Sequence, residues 1–137
     1  MTEKPLPRVT PKSEPYWAAL RDHRIDIPQC DDCGHWVFFP RPHCPKCLSQ
    51  RLTWKTVSGD GELLTYTLAF APTLPEFADE LPQKLAVVQL DEGVHINTTL
   101  TGLGEGEIKV GMRVRPVFDD IVPGETTLLR FTAANNP

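Results

Sequence analysis

The sequence predicts a mainly β protein made of a short N-terminal helix, a zinc ribbon and a small five-stranded barrel of OB type. Three observations carry this prediction. All four cysteines lie between residues 30 and 47 as two Cys-x-x-Cys pairs, the spacing of paired metal knuckles. From Leu52 onward the chain reads as short alternating runs separated by turn signals, with little helical periodicity. One stretch near the start, residues 13–23, carries helix start signals and a helical apolar face. The 137 residues leave room for one real core, since a domain runs to roughly 100–200 residues.

Residues 1–12 hold Pro5, Pro7 and Pro11 among scattered charges, a composition that favours a flexible arm. Ser13 then stands as an N-cap, with Glu14 and Pro15 in the first turn of a helix that ends near His23. Tyr16, Trp17 and Leu20 share one face of it. A helix this short is marginal alone in water, so that face must dock on the protein's own ribbon or on a partner.

Residues 24–51 are the ribbon. The alternation of residues 24–29 suits a half-buried strand entering the first knuckle, and the apolar run 36–40 suits the ribbon's second strand. Gly34 follows the second cysteine, where a knuckle needs a backbone turn that a Cβ disfavours. Pro45 fits a similar rigid turn.

Residues 52–137 are the barrel, five or six strands with little helix, matched to the OB type by size and strand count. Its expected strands begin with 52–57 and, after the turn signal Ser58-Gly-Asp-Gly61, with 62–70, which sets Leu64, Tyr66, Leu68 and Phe70 on one face. A long loop follows with Pro72, Pro75 and Pro82, containing Leu74 and Phe77; unstructured stretches of this length are more often functional than not. Residues 85–90 read as a central strand and 94–100 as its neighbour. Residues 113–118 and 127–131, joined across Pro123-Gly124, supply the last two.

The cysteines define the chemistry. Each pair sets two sulfurs about 2.3 Å from one zinc, so Cys30, Cys33, Cys44 and Cys47 close a tetrahedral shell. No position is left for water or substrate, which predicts a structural ion; iron fits the same knuckles. A redox dithiol needs only one pair, at the start of a helix, and neither pair has that setting. The first ten residues lack the apolar segment of a secretory signal, and no run approaches the roughly 20 apolar residues that span a bilayer. The expectation is a cytoplasmic protein without membrane contact, whose cysteines bind metal and do not form disulfides.

Other candidate sites are weaker. A zinc hydrolase needs an open coordination position and a nearby carboxylate, which four cysteines do not provide. His35 and His43 flank the knuckles as exposed imidazoles beside a complete ligand set, and His95 lies on the polar face of its strand. The Gly102, Gly104 and Gly106 run lacks the spacing of a phosphate loop, and Glu105 and Glu107 would repel the anion. Arg41, Lys46, Arg51 and Lys55 form a local basic cluster, of a kind most often solvated. A second functional class is a single-stranded nucleic-acid module, with Trp54, Tyr66 and Phe70 stacking on bases. The net charge of −4 and the inward pattern of Tyr66 and Phe70 weigh against it and place those aromatics in the core.

Taken together, Tyr16-Trp-Ala-Ala-Leu20, the Cys-x-x-Cys-Gly34 knuckle, an aromatic run ending in Pro40-Arg-Pro42, the second Cys-x-x-Cys, Ser58-Gly-Asp-Gly61, Tyr66-Thr67, Leu90-Asp-Glu-Gly93 and Gly111-Met112 form an ordered set. It resembles the rubredoxin-like zinc-ribbon plus OB-fold proteins associated with acyl-CoA metabolism, long catalogued as a domain of unknown function. The resemblance spans about residues 16–131. It implies a non-catalytic accessory subunit in a hetero-oligomer with a thiolase-like or lipid-transfer-protein-like aldolase or thiolase, with steroid side-chain degradation as one setting. The partner would supply the carbon-carbon chemistry, and this chain would shape the complex and help bind or channel the CoA thioester at or near their interface. Cys30, Cys33, Cys44 and Cys47 carry over as zinc ligands. No catalytic residue carries over.

Overall fold

Helix α1 (Glu14–Arg21) starts where the sequence places it, with Ser13 at the N-cap and Pro15 in the first turn, a position where proline's missing N–H is no loss. The Ser13 hydroxyl turns back, 3.0 Å from the Thr10 hydroxyl and accepting from the Thr10 N–H at 3.0 Å, so it anchors residues 10–13 and does not cap the helix. The structure is a computed structural model that describes residues 6–71, 75, 79, 81–135. The arm expected over 1–12 is therefore seen only from Leu6, and Pro72, Leu74 and Phe77 of the long loop lie outside the described residues.

Two sheets follow. The ribbon sheet pairs β1 (Ile25–Cys30) with β2 (Leu52–Val57), antiparallel from Ile25 opposite Val57 to Cys30 opposite Leu52. Residues 36–40 are not its second strand. Only Trp36 bridges to Gln29, and the Val37 N–H donates to the Pro28 carbonyl at 2.8 Å. Beyond Val37 the run leaves the sheet, because Phe38 and Phe39 pack on α1 and Pro40 has no N–H to give a ladder. The partner role passes to residues 52–57, expected as a barrel strand, and their ladder with β1 crosses the position between residues 51 and 52. Alternation reports a half-buried strand without reporting its neighbour.

The second sheet holds β3 (Gly61–Ala69), β4 (Gln83–Leu90), β5 (His95–Thr99), β6 (Arg113–Val122) and β7 (Thr126–Ala133) in the order β5-β4-β3-β6-β7. It closes through a parallel bridge between Leu100 and Phe131, where the Thr101 N–H reaches the Phe131 carbonyl at 2.9 Å. Five antiparallel strands closed by one parallel contact make the OB barrel. A bulge between Leu63 and Thr65 bends β3. Leu63 is buried before it, and Tyr66 and Leu68 pack on the core after it. Phe70, expected on the same face, is 66% exposed, because the strand ends at Ala69 and the next residue leaves the wall. Trp54 and Tyr66 are core-packed as expected.

The main core joins Tyr16 and Leu20 of α1 with Ile25 and Ile27 of β1 and with barrel residues including Leu63, Val88, Ile96, Val114 and Phe131. The helix thus docks on its own chain. A second, smaller cluster of Cys30, Val37 and Cys44, with Leu52 against it, lies under the knuckles. Between ribbon and barrel sits Gly59, at φ +84°, where an added Cβ would lie 2.7 Å from Pro116 Cγ and 2.8 Å from Ile25 Cδ1. In the loop after β5, the Glu107 carboxylate accepts from the Gly104 N–H at 2.8 Å. That N–H is taken, so the glycine run is a turn and not a phosphate cradle.

Candidate metal centre and aromatic junction

The two knuckles repeat one backbone design. In the first, the Gly34 N–H donates to the Cys30 carbonyl at 2.9 Å and the Cys30 N–H to the His35 carbonyl at 2.8 Å. In the second, the Leu48 N–H donates to the Cys44 carbonyl and the Cys44 N–H to the Ser49 carbonyl, both at 2.8 Å. Each turn requires a left-handed residue after its second cysteine: Gly34 at φ +77° and Leu48 at φ +65°. Glycine adopts this without steric cost, whereas leucine is strained there.

These turns bring the four sulfurs within 4.8 Å of one another. Cys30 Sγ lies 3.5 Å from Cys47 Sγ and Cys33 Sγ 3.6 Å from Cys44 Sγ. A tetrahedral zinc with bonds of about 2.3 Å separates its sulfurs by roughly 3.8 Å, whereas a disulfide needs about 2.05 Å. The set fits a metal shell. Cys30 and Cys44 are buried, and Cys33 and Cys47 are exposed. Burial acts to raise the Cys30 thiol, but the N–H groups of Cys33 and Asp32 together with the neighbouring Cys47 and Cys33 sulfurs outweigh it and bring the value down to about 7. The Cys44 thiol is also held below its ordinary value, with the Cys47 and Lys46 N–H groups working against burial. Among the described residues no histidine, aspartate or glutamate joins the cluster. His43 is bound instead by the Gln50 amide at 2.8 Å.

Two of the four residues in the basic cluster are committed to their own surface. Arg51 pairs with Asp32, and Lys55 Nζ donates to Gln29 Oε1 at 2.7 Å. Lys46 lines a cleft of about 450 Å³ between the first knuckle and the β4–β5 turn, with His35, Glu92 and His95. His95 is exposed on that rim, as its polar-face position predicts.

A second feature is an aromatic junction between α1 and the ribbon, formed by the helix face that the sequence expects to dock on the ribbon or on a partner. Tyr16 meets Trp17 at a ring-centroid distance of 5.1 Å, and Phe38 and Phe39 each at 5.6 Å, all edge-on. Burial pushes the Tyr16 phenol well above its ordinary range. Trp17 is half-buried, and its indole nitrogen is buried with no hydrogen-bond partner among the described residues. It faces a cleft of about 470 Å³, lined also by Phe39, Gln83, Asn97, Thr99 and Arg130. The signal available in the sequence was the pair of aromatic doublets, 16–17 and 38–39, each too bulky to bury within its own element.

Family comparisons fit this architecture piece by piece. Residues 17–53 match the model of the ChsH2 rubredoxin-like zinc ribbon domain, and residues 54–119 that of the ChsH2 C-terminal OB-fold domain. A DUF35 domain-containing scaffold protein of Pyrococcus furiosus is 37% identical over 103 residues, 74% of each chain. The chain belongs to the ChsH2/DUF35 family. A relative matched over only part of its length is a probable enoyl-CoA hydratase alpha subunit of Thermomonospora curvata, 32% identical over 136 residues, covering 89% of this chain but 41% of that protein. Among solved ChsH2/DUF35 structures, a chain described as Ltp2-ChsH2(DUF35) aldolase superposes with a TM-score of 0.81 at 30% identity, covering 93% of this chain and 98% of that one. The zinc ribbon and OB barrel expected from the sequence are therefore the domains of this family. Among the described residues, no helix is long and apolar enough to cross a membrane.

Proposed function

We propose that this chain is a non-catalytic accessory subunit of an acyl-CoA-processing complex, bound to a thiolase-like or lipid-transfer-protein-like aldolase or thiolase. Its cysteines hold one structural zinc, which leaves the carbon-carbon chemistry to the partner. The observation that carries this reading is the near end-to-end superposition on a chain from an assembly titled as an aldolase. The naming of one relative as a scaffold protein and of another as a hydratase subunit points the same way. Helping to bind or channel the CoA thioester belongs to the same proposal, with steroid side-chain degradation as one setting.

The helix face expected to dock on the protein's own ribbon or on a partner is only partly used within the chain. Tyr16 and Leu20 are buried in the chain's own core, and Trp17 with Phe39 remains at the surface.

Co-expression with a thiolase-like aldolase subunit of the same organism tests the reading. The two should co-elute on gel filtration, and the aldolase's turnover of its acyl-CoA substrate should depend on this chain. Separate elution together with unchanged turnover would sink it. Metal analysis should return about one zinc per chain; one iron would keep the shell and change the ion.

A further inference from the structure

We propose that the cleft beside Trp17 and a smaller cleft that adjoins it form one binding site for an amphiphilic anion, a molecule with an apolar body and a single carboxylate or phosphate head. The site lies wholly within this chain. It therefore stands apart from the accessory-subunit reading and is tested without the enzyme.

The two clefts share a border and differ in chemistry. The larger, of about 470 Å³, has an aromatic wall of Trp17, Phe38 and Phe39, and Ile96 and Leu129 of the barrel also line it. The smaller, of about 140 Å³, is lined by Lys84 and Thr101 and by no acidic residue. Gln83, Thr99 and Arg130 border both. Strand pairing explains the join. Leu85 of β4 stands opposite Thr99 of β5, and the Leu100 N–H donates to the Lys84 carbonyl at 2.9 Å, so Lys84 stands at the end of that ladder.

Charge gives the site a direction. Arg130 is fixed at the border, its Nε donating to Asp119 at 2.8 Å and its Nη1 to the Thr99 hydroxyl at 2.6 Å, and Asp119 offsets its charge. Lys84 is half-buried, and among the described residues no carboxylate pairs with it. By contrast, Arg21, Arg24, Arg51 and Arg113 each meet a carboxylate. The smaller cleft thus holds one uncompensated positive charge at the end of an apolar cleft. A partly desolvated ammonium is stabilised by an anion beside it.

This division selects the ligand. Small-molecule sites are mainly apolar, with a few polar groups that fix orientation. A neutral apolar molecule would leave Lys84 unpaired, and a small anion would leave the aromatic wall bare. A nucleic-acid strand needs cations along a path, and here a single one is uncompensated. An apolar body against the aromatic wall brings an oxyanion head to Lys84 Nζ, which donates to it.

Calorimetric titration of the zinc-loaded full chain with decanoate, decyl phosphate, decanol and acetate, below micelle-forming concentrations, tests this. At least one of the two decyl anions should bind about tenfold or more tightly than decanol, the tighter of them naming the head, and acetate should give no heat. Lys84→Gln should weaken the anion by about tenfold and leave decanol unchanged. A terminally brominated decanoate should quench indole emission, and Trp17→Phe should remove most of that quenching. Decanol binding as tightly as the anions, an unaltered Lys84→Gln variant, or quenching that Trp17→Phe leaves whole would each overturn the proposal. No heat with either anion would overturn it too, and would leave the clefts to a protein partner.

Discussion

The ribbon and the barrel are built from the same kind of strand and are stabilised in different ways. Under the knuckles the buried apolar set is only Cys30, Val37 and Cys44, with Leu52 against it, too little to offset the conformational entropy of ordering the loops around it. The barrel and helix share a continuous core from Tyr16 to Phe131. The difference teaches that ligand chemistry maintains the knuckle loops, whereas the ribbon's strands share the apolar core of helix and barrel. The two contributions can be removed separately.

The largest effect should come from the metal. Structural zinc contributes on the order of 10 kcal/mol or more to small ribbons. Cys44→Ser, or chelation, should therefore abolish amide protection over the loop 31–51 in hydrogen exchange while the β4 and β6 amides stay protected. Loss of protection in both at once would break the comparison. Next comes Phe131→Ala in the barrel. Phe131 is fully buried, so its loss should cost about 3–5 kcal/mol in denaturant unfolding, with zinc still bound to the folded fraction.

A smaller test sharpens the contrast between the knuckles themselves. Leu48 holds a left-handed turn at φ +65° with its side chain 74% exposed, so it combines strain with little burial. Leu48→Gly relieves roughly 1–2 kcal/mol of strain and adds about 0.5–1 kcal/mol of unfolded-state entropy. A net gain of about 0.5 kcal/mol should appear as tighter retention of zinc against a chelator, with the barrel's stability unchanged.

The smallest effect is acid sensitivity. The Arg113 guanidinium holds the Asp91 carboxyl below its usual value, and the Thr127 hydroxyl with His23 does the same for Asp120. A carboxyl depressed on folding adds stability above its unfolded value, near 3.9, and that stability is lost as pH falls through the folded value. Stability should decline below about pH 4, and Asp120→Asn should flatten part of that decline in thermal scans. Because these pairs are exposed, added salt should shrink the effect.

Legibility in the sequence divides along physical lines. Cysteine spacing fixes a metal shell because ligand geometry is local, and the structure gathers those sulfurs as spaced. Helix α1 was legible from Ser13 and Pro15, and the barrel strands from their alternation and turns. Pairing was not legible: residues 52–57 carry the same alternation whether they join β1 or the barrel. The aromatic run at 36–40 reads as a strand until Phe38 and Phe39 are seen against Tyr16, a contact across about twenty residues of chain. Phe70 was misplaced because period-2 alternation says nothing about where a strand stops.

Gly59 gives the junction a further property. With Ile25 and Pro116 closing on the space where its side chain would stand, the linker between β2 and β3 has no slack, and the helix clamps both modules from the other side. Ribbon and barrel are thus packed through one shared core and are not strung as two beads. An enzyme that touches ribbon and barrel together meets one preset orientation and need not freeze a hinge to bind, so less of the contact energy is lost to ordering. Slackening that corner would weaken a bridging contact even if every contacting side chain stayed in place.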